Sequence, residues 1–119
     1  MEYKIEAMVL AATNMDKMVD FYTNVFGIEF EEEATEDGNF YNGKWAEFDF
    51  TLIPTELSDV KDGQNPMHYD IFVPDLEKSI ELVEKHNGKT NEQLGEDDTL
   101  KAIGIFDPDE NFMVFKQRK

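Results

Sequence analysis

The chain carries nearly the same segment twice. Leu10-Ala11-Ala12-Thr13-Asn14-Met15-Asp16-Lys17-Met18-Val19-Asp20-Phe21-Tyr22 matches Ile71-Phe72-Val73-Pro74-Asp75-Leu76-Glu77-Lys78-Ser79-Ile80-Glu81-Leu82-Val83 at an offset of 61 residues. The two copies run without a gap from Ala7 and His68 to Gly27 and Gly88. Each reads as a short alternating strand, a polar cap, an amphipathic helix and a terminal glycine. A unit stated twice within 119 residues predicts one pseudo-symmetric domain, repeat one about 1–56 and repeat two about 66–119, with a ligand expected in a cleft between the halves.

Along the first copy, Ile5–Ala12 alternates as a strand, with Met8, Leu10 and Ala12 on one face and Ala7, Val9 and Ala11 on the other. Thr13 or Asn14 can cap the helix that follows, and Gly27 stops it. Strands are predicted over Ile28–Glu33, Phe40–Trp45 and Glu47–Ile53, the last two joined by a tight turn, with Pro54 ending the third. Thr55–Met67 reads as a loop. The second copy predicts a strand over His68–Val73, a helix capped by Asp75 and ended by Gly88, at most a short strand within the polar stretch Lys89–Thr99, and strands over Leu100–Phe106 and Phe112–Gln117 around a turn at Asp107–Asn111. The order is βαβββ, twice.

The charge balance excludes several functions. With 27 acidic and 11 basic residues the net charge is −16, which repels nucleic acid and anionic membrane surfaces. It suits either simple solubility or a cationic ligand. No apolar run reaches the roughly 18 residues of a membrane span, and the first residues lack the pattern of a secretory leader, so a cytoplasmic location is expected. The absence of cysteine removes disulfides, thiolate nucleophiles and cysteine-bound metals.

Three segments together resemble the vicinal oxygen chelate superfamily, which includes glyoxalase I, bleomycin-resistance proteins and extradiol dioxygenases. They are Met15–Tyr22 running to Val25-Phe26-Gly27, then Phe72–Ser79, then Phe106-Asp107-Pro108-Asp109-Glu110-Asn111. The resemblance covers the whole chain and implies an α+β fold in which two βαβββ modules form a curved, eight-stranded sheet around a cleft. It departs at Glu110, where the family usually has glycine, so a different turn type is expected there. Family enzymes hold a divalent metal with one inward residue from the first and last strand of each repeat. Carried over one at a time, those positions fall on Ala7, on Thr51 (or Ile53 if the hairpin shifts), on His68 and on Val114. Only His68 is a competent ligand. The resemblance therefore implies a metal-free, homodimeric binding protein, possessing no metal cofactor and sequestering a small organic ligand, cationic or aromatic, with a helix face at Met15 and Met18 as a candidate dimer contact. The alternative is a metal-dependent lyase, isomerase or dioxygenase using His68, Asp70 and Asp49. A non-catalytic accessory or sensor domain is a third reading.

The ligand-binding cleft is expected to include His68, Asp70, Phe72, Asp49, Thr51, Ala7, Val9, Phe112 and Val114. His68 and Asp70 share a strand face and form either a proton-handling pair or a structural hydrogen-bonded pair. Phe48 or Phe50, with Phe72, Phe112 and Trp45, could wall an aromatic cavity. His86 is expected to be solvated near a helix end. Asp107-x-Asp109-x-Asn111 looks superficially like a calcium loop but lacks the glycine and the closing glutamate, and reads as a β-turn.

Overall fold

The computed structural model of the chain describes residues 7–58 and 69–119, with 92–94 described in backbone only. It divides into two compact units, Met1–Asp62 and Gly63–Lys119. The first holds strand β1 (Ala7–Ala12), helix α1 (Met15–Phe26), strands β2 (Glu31–Thr35), β3 (Gly38–Trp45) and β4 (Phe48–Pro54), and a 3₁₀ turn at Thr55–Leu57. The second holds β5 (Tyr69–Phe72), α2 (Leu76–Lys85), β6 (Lys89–Glu96), β7 (Leu100–Phe106) and β8 (Phe112–Arg118). Both modules are βαβββ, as the repeat predicts. Among the described residues eight strands form two four-stranded mixed sheets, ordered β1-β4-β3-β2 and β5-β8-β7-β6. In each, the first strand lies parallel to the last, Ala7 beside Asp49 and Asp70 beside Val114, and the other pairs are antiparallel.

In the first module the helical spacing of Met18, Phe21 and Tyr22 buries all three against the sheet. They meet Phe50 and Leu52, which alternate on β4 with the outward Asp49 and Thr51. Met18 is fully buried, so it is unavailable for the dimer contact considered above. Gly27 adopts φ +73, the left-handed conformation in which a helix ends cheaply at glycine, and its N–H bonds the Thr23 carbonyl. The chain then crosses the sheet before pairing, so β2 begins at Glu31 rather than Ile28. That crossing depends on Gly43, where a Cβ would stand 2.8 Å from the Glu29 carbonyl oxygen and 2.8 Å from the Ile28 side chain. Pro54, expected to stop the strand after Ile53, is instead the last residue of β4, beside Ala12 at the end of the parallel ladder.

The second module buries Leu76, Val83, Ile103, Ile105, Met113 and Phe115. Asp75 caps α2 as expected, accepting from the Lys78 N–H at 3.1 Å, and Gln117 Oε1 accepts the Leu76 N–H at 2.7 Å. The helix ends differently from the prediction. Asn87, not Gly88, takes the left-handed conformation at φ +68, while the Gly88 N–H reaches back to the Val83 carbonyl at 2.8 Å. Residues 89–96 form a full edge strand, longer than the short one expected, because pairing to β7 satisfies the backbone while an edge tolerates polar side chains.

Asp107 is 2% exposed and organises the final turn. Its carboxylate accepts the Asp109 and Asn111 N–H groups, both at 2.9 Å, and the Asn111 side-chain amide at 2.8 Å. With both carboxylate oxygens engaged this is a structural turn, in line with the β-turn reading. Glu110 adopts φ +66, the conformation a glycine would take freely. The departure from the family pattern thus leaves a left-handed residue in place and adds backbone strain, where a different turn type was expected.

Candidate functional site

Because side chains alternate along a strand, each sheet has one face packed on its own helix and one free of it. The expected site residues sort cleanly between these faces. On the helix-free face of the first sheet stand Ala7 and Val9 of β1, Asp49 and Thr51 of β4, Asn42 and Lys44 of β3, and Glu31 and Glu33 of β2. On that of the second stand Asp70 and Phe72 of β5, Phe112, Val114, Lys116 and Arg118 of β8, and Ala102, Gly104 and Phe106 of β7. His68 lies outside the described residues. Phe48, Phe50 and Trp45 lie on the helix side instead: the Trp45 ring stands 4.7 Å from Phe26, 5.5 Å from Tyr22 and 5.2 Å from Phe50. Of the aromatic wall considered from sequence, Phe72 and Phe112 remain on the helix-free face.

The polar groups there are already engaged. Thr51 donates its hydroxyl to Asn42 Oδ1 at 2.7 Å, and Asn42 donates its amide to Glu33 at 3.1 Å, giving a relay of three side chains across three strands. Asp49 pairs with Lys44 at 2.7 Å. Asp70 pairs with Lys116 at 3.0 Å, the lysine side chain 26% exposed and the aspartate 47%. At this exposure such a pair contributes about 0–1 kcal/mol, so it orients the two groups more than it stabilises the fold. Arg118 places its guanidinium carbon 4.2 Å from the centroid of the Phe72 ring. Phe112 lies over Gly104, where a Cβ would meet its ring at 2.7 Å, and its centroid is 5.2 Å from that of Phe106 with the rings tilted at 52°. Val9 and Phe72 are 62% and 50% exposed, the large apolar side chains left most open among the described residues, and both are on helix-free faces.

A family model described as the Glyoxalase/Bleomycin resistance protein/Dioxygenase superfamily matches residues 4–115. The chain belongs to this superfamily. No curated protein is similar enough in sequence to count as a relative. Among solved structures, a fosfomycin resistance protein, FosX, from Mesorhizobium loti is 12% identical with a TM-score of 0.74, over 98% of this chain and 93% of that one. FosX from Listeria monocytogenes in its tetragonal form is 12% identical with a TM-score of 0.78, over 98% and 92%. A glyoxalase-related enzyme from Fulvimarina pelagi is 13% identical with a TM-score of 0.75, over 96% and 87%. The Listeria protein has also been solved with Mn(II) and sulfate. At these identities the likeness is one of fold.

Within that fold the residues here do not suit the superfamily's metal. Ala7 and Val114 carry no donor atom, and the Thr51 hydroxyl is committed to Asn42. Asp49 and Asp70, the carboxylates of the alternative site, are each drawn to a lysine. Among the described residues no three of His, Cys, Asp and Glu come together as a metal-holding group.

The titrating groups that the fold does perturb are elsewhere. Asp97, in the turn before β7, is held below the usual aspartate range by N–H bonds from Thr99 and Leu100. Glu96 is lowered by its hydrogen bond and ion pair with Lys119. Partial burial, then the nearby Glu32 carboxylate, raises the Tyr41 phenol. His86, expected to be solvated, is half-buried at the C-terminal end of α2. The feature missed from sequence was the run Lys116-x-Arg118. Its alternation with Val114 places it on the helix-free face, a signal present in the strand period itself.

Proposed function

We propose that the chain binds a small organic molecule, without the aid of a metal, on the helix-free faces of its sheets. Each face is taken by itself: on the first module the residues proposed for ligand contact are Ala7, Val9, Asp49 and Thr51, and on the second they are Asp70, Phe72, Phe112 and Val114, with His68 proposed from the sequence. One observation carries the reading: three of the four superfamily ligand positions hold Ala7, Thr51 and Val114, while Val9 and Phe72 on the same faces remain open to a guest. Sequestration needs only a complementary surface and tolerates an alanine or valine where catalysis requires a metal ligand. A cytoplasmic homodimer belongs to the same reading.

A thermal-shift screen tests it. Aromatic amines, cationic glycopeptides and 2-oxo acids span the ligand charges to be compared. A ligand at about 100 times its Kd should add about 2.7 kcal/mol of stability and raise the melting temperature. The shift should persist in EDTA and shrink in Phe72→Ser. No response from any compound overturns the proposal.

A further inference from the structure

We infer that the ligand presents a carboxylate to the second sheet. This rests on the small-molecule reading above and deepens it. In a chain of net charge −16, cations would be expected to be scarce on any functional face. The helix-free face of the first sheet follows that expectation, with Glu31, Glu33 and Asp49 against Lys44. The helix-free face of the second reverses it, with Lys89, Lys116 and Arg118 against Asp70 among the described side chains. Asp70 neutralises Lys116 at 3.0 Å and Glu110 stands 3.9 Å from Lys89, whereas Arg118 lies against the Phe72 ring rather than a carboxylate.

The geometry at Arg118 selects among anions. Its guanidinium carbon lies 4.2 Å from the centroid of the Phe72 ring, and a guanidinium held over a ring face still carries its N–H donors along the edge of its own plane. That edge matches a carboxylate as a two-pronged fork. The half-exposed Phe72 ring supplies an apolar platform for the body that carries the acid. An open surface groove of about 390 Å³ beside this pair, lined by Phe72, Val73, Pro74, Gln117 and Arg118, has room for a small aromatic acid. Ala102, paired with Lys116, keeps the neighbouring floor of β7 low.

Benzoate is the probe, with benzamide and benzylamine as its neutral and cationic congeners, titrated into the ¹⁵N-labelled full chain. Benzoate should shift the amides of Phe72, Lys116 and Arg118, more weakly as salt is added. Arg118→Gln should raise the benzoate Kd about tenfold or more, and Lys17→Gln on the exposed side of α1 should leave it unchanged. Equal binding of benzamide or benzylamine, or no change in Arg118→Gln, overturns the carboxylate inference and leaves the small-molecule reading intact. No shift from benzoate at millimolar concentration also overturns it, whereas the wider reading falls only if the thermal-shift screen is silent as well.

Discussion

The first module fills the space between its helix and sheet with rings, and the second fills the same space with aliphatic chains. Phe21, Tyr22, Phe26, Trp45 and Phe50 interlock at centroid distances between 4.7 and 6.0 Å. The corresponding layer of the second module is Leu76, Val83, Ile103, Ile105 and Met113, with Phe115 the fully buried ring. The helix-free faces differ as sharply, acidic in one sheet and basic in the other. One topology therefore accepts two core chemistries, because strand alternation and helix ends specify it. What the modules do is written on faces that the topology does not constrain.

The largest effect should come from breaking the aromatic layer. Phe21→Ala removes a fully buried ring and should lower stability by about 3–5 kcal/mol in urea unfolding, whereas Ile105→Val should cost about 0.5–1.5 kcal/mol. Equal costs would erase the contrast between the cores. The two glycines should separate next. At Gly43→Ala the new Cβ meets backbone, so a loss of about 1–3 kcal/mol is expected. At Gly104→Ala it meets the Phe112 ring, which can swing aside, so the loss should be smaller and the Phe112 signals should move.

Helix caps sharpen the comparison further. Asp75→Ala should cost about 1 kcal/mol, since its carboxylate caps α2. Asn14→Ala should cost less, since no side-chain capping bond forms at the start of α1. A smaller and opposite change is expected at Ala46, which sits at φ +54 in the β3–β4 turn. Ala46→Gly should raise stability by about 0.5–1 kcal/mol, and a loss would mean that the turn is not strained. The last effect is confined to the second module. Asp97 is more acidic folded than unfolded, so its contribution is present above the ordinary aspartate pKa and lost as pH falls through the lower folded value. Asp97→Asn should flatten that acid limb.

Most of the architecture was legible because it follows from local chemistry. The alternation of Met8, Leu10 and Ala12, the spacing of Met18, Phe21 and Tyr22, Gly27 and Asp75 each act within a few residues. The errors arose where distant pairing decides. Residues 89–96 become a strand through β7, Ile28 is diverted by a crossing over Gly43, and Asn87 takes the left-handed position ahead of Gly88. The positions Ala7, Thr51 and Val114 came from the family resemblance, and strand alternation explains why all three fall on helix-free faces. The bonding at the candidate site was not legible. The pairs Asp70–Lys116 and Asp49–Lys44 and the relay Thr51–Asn42–Glu33 each join residues whose contact depends on register between strands.

Metal stoichiometry of the purified chain tests the central claim most directly. The protein, incubated with Mn(II), Zn(II), Ni(II) or Fe(II) and freed of excess ion, should retain far less than one metal per chain, and EDTA should leave ligand binding unchanged. One tightly held ion per chain, lost in His68→Ala, would contradict the account and make this member of the superfamily a metal-dependent one.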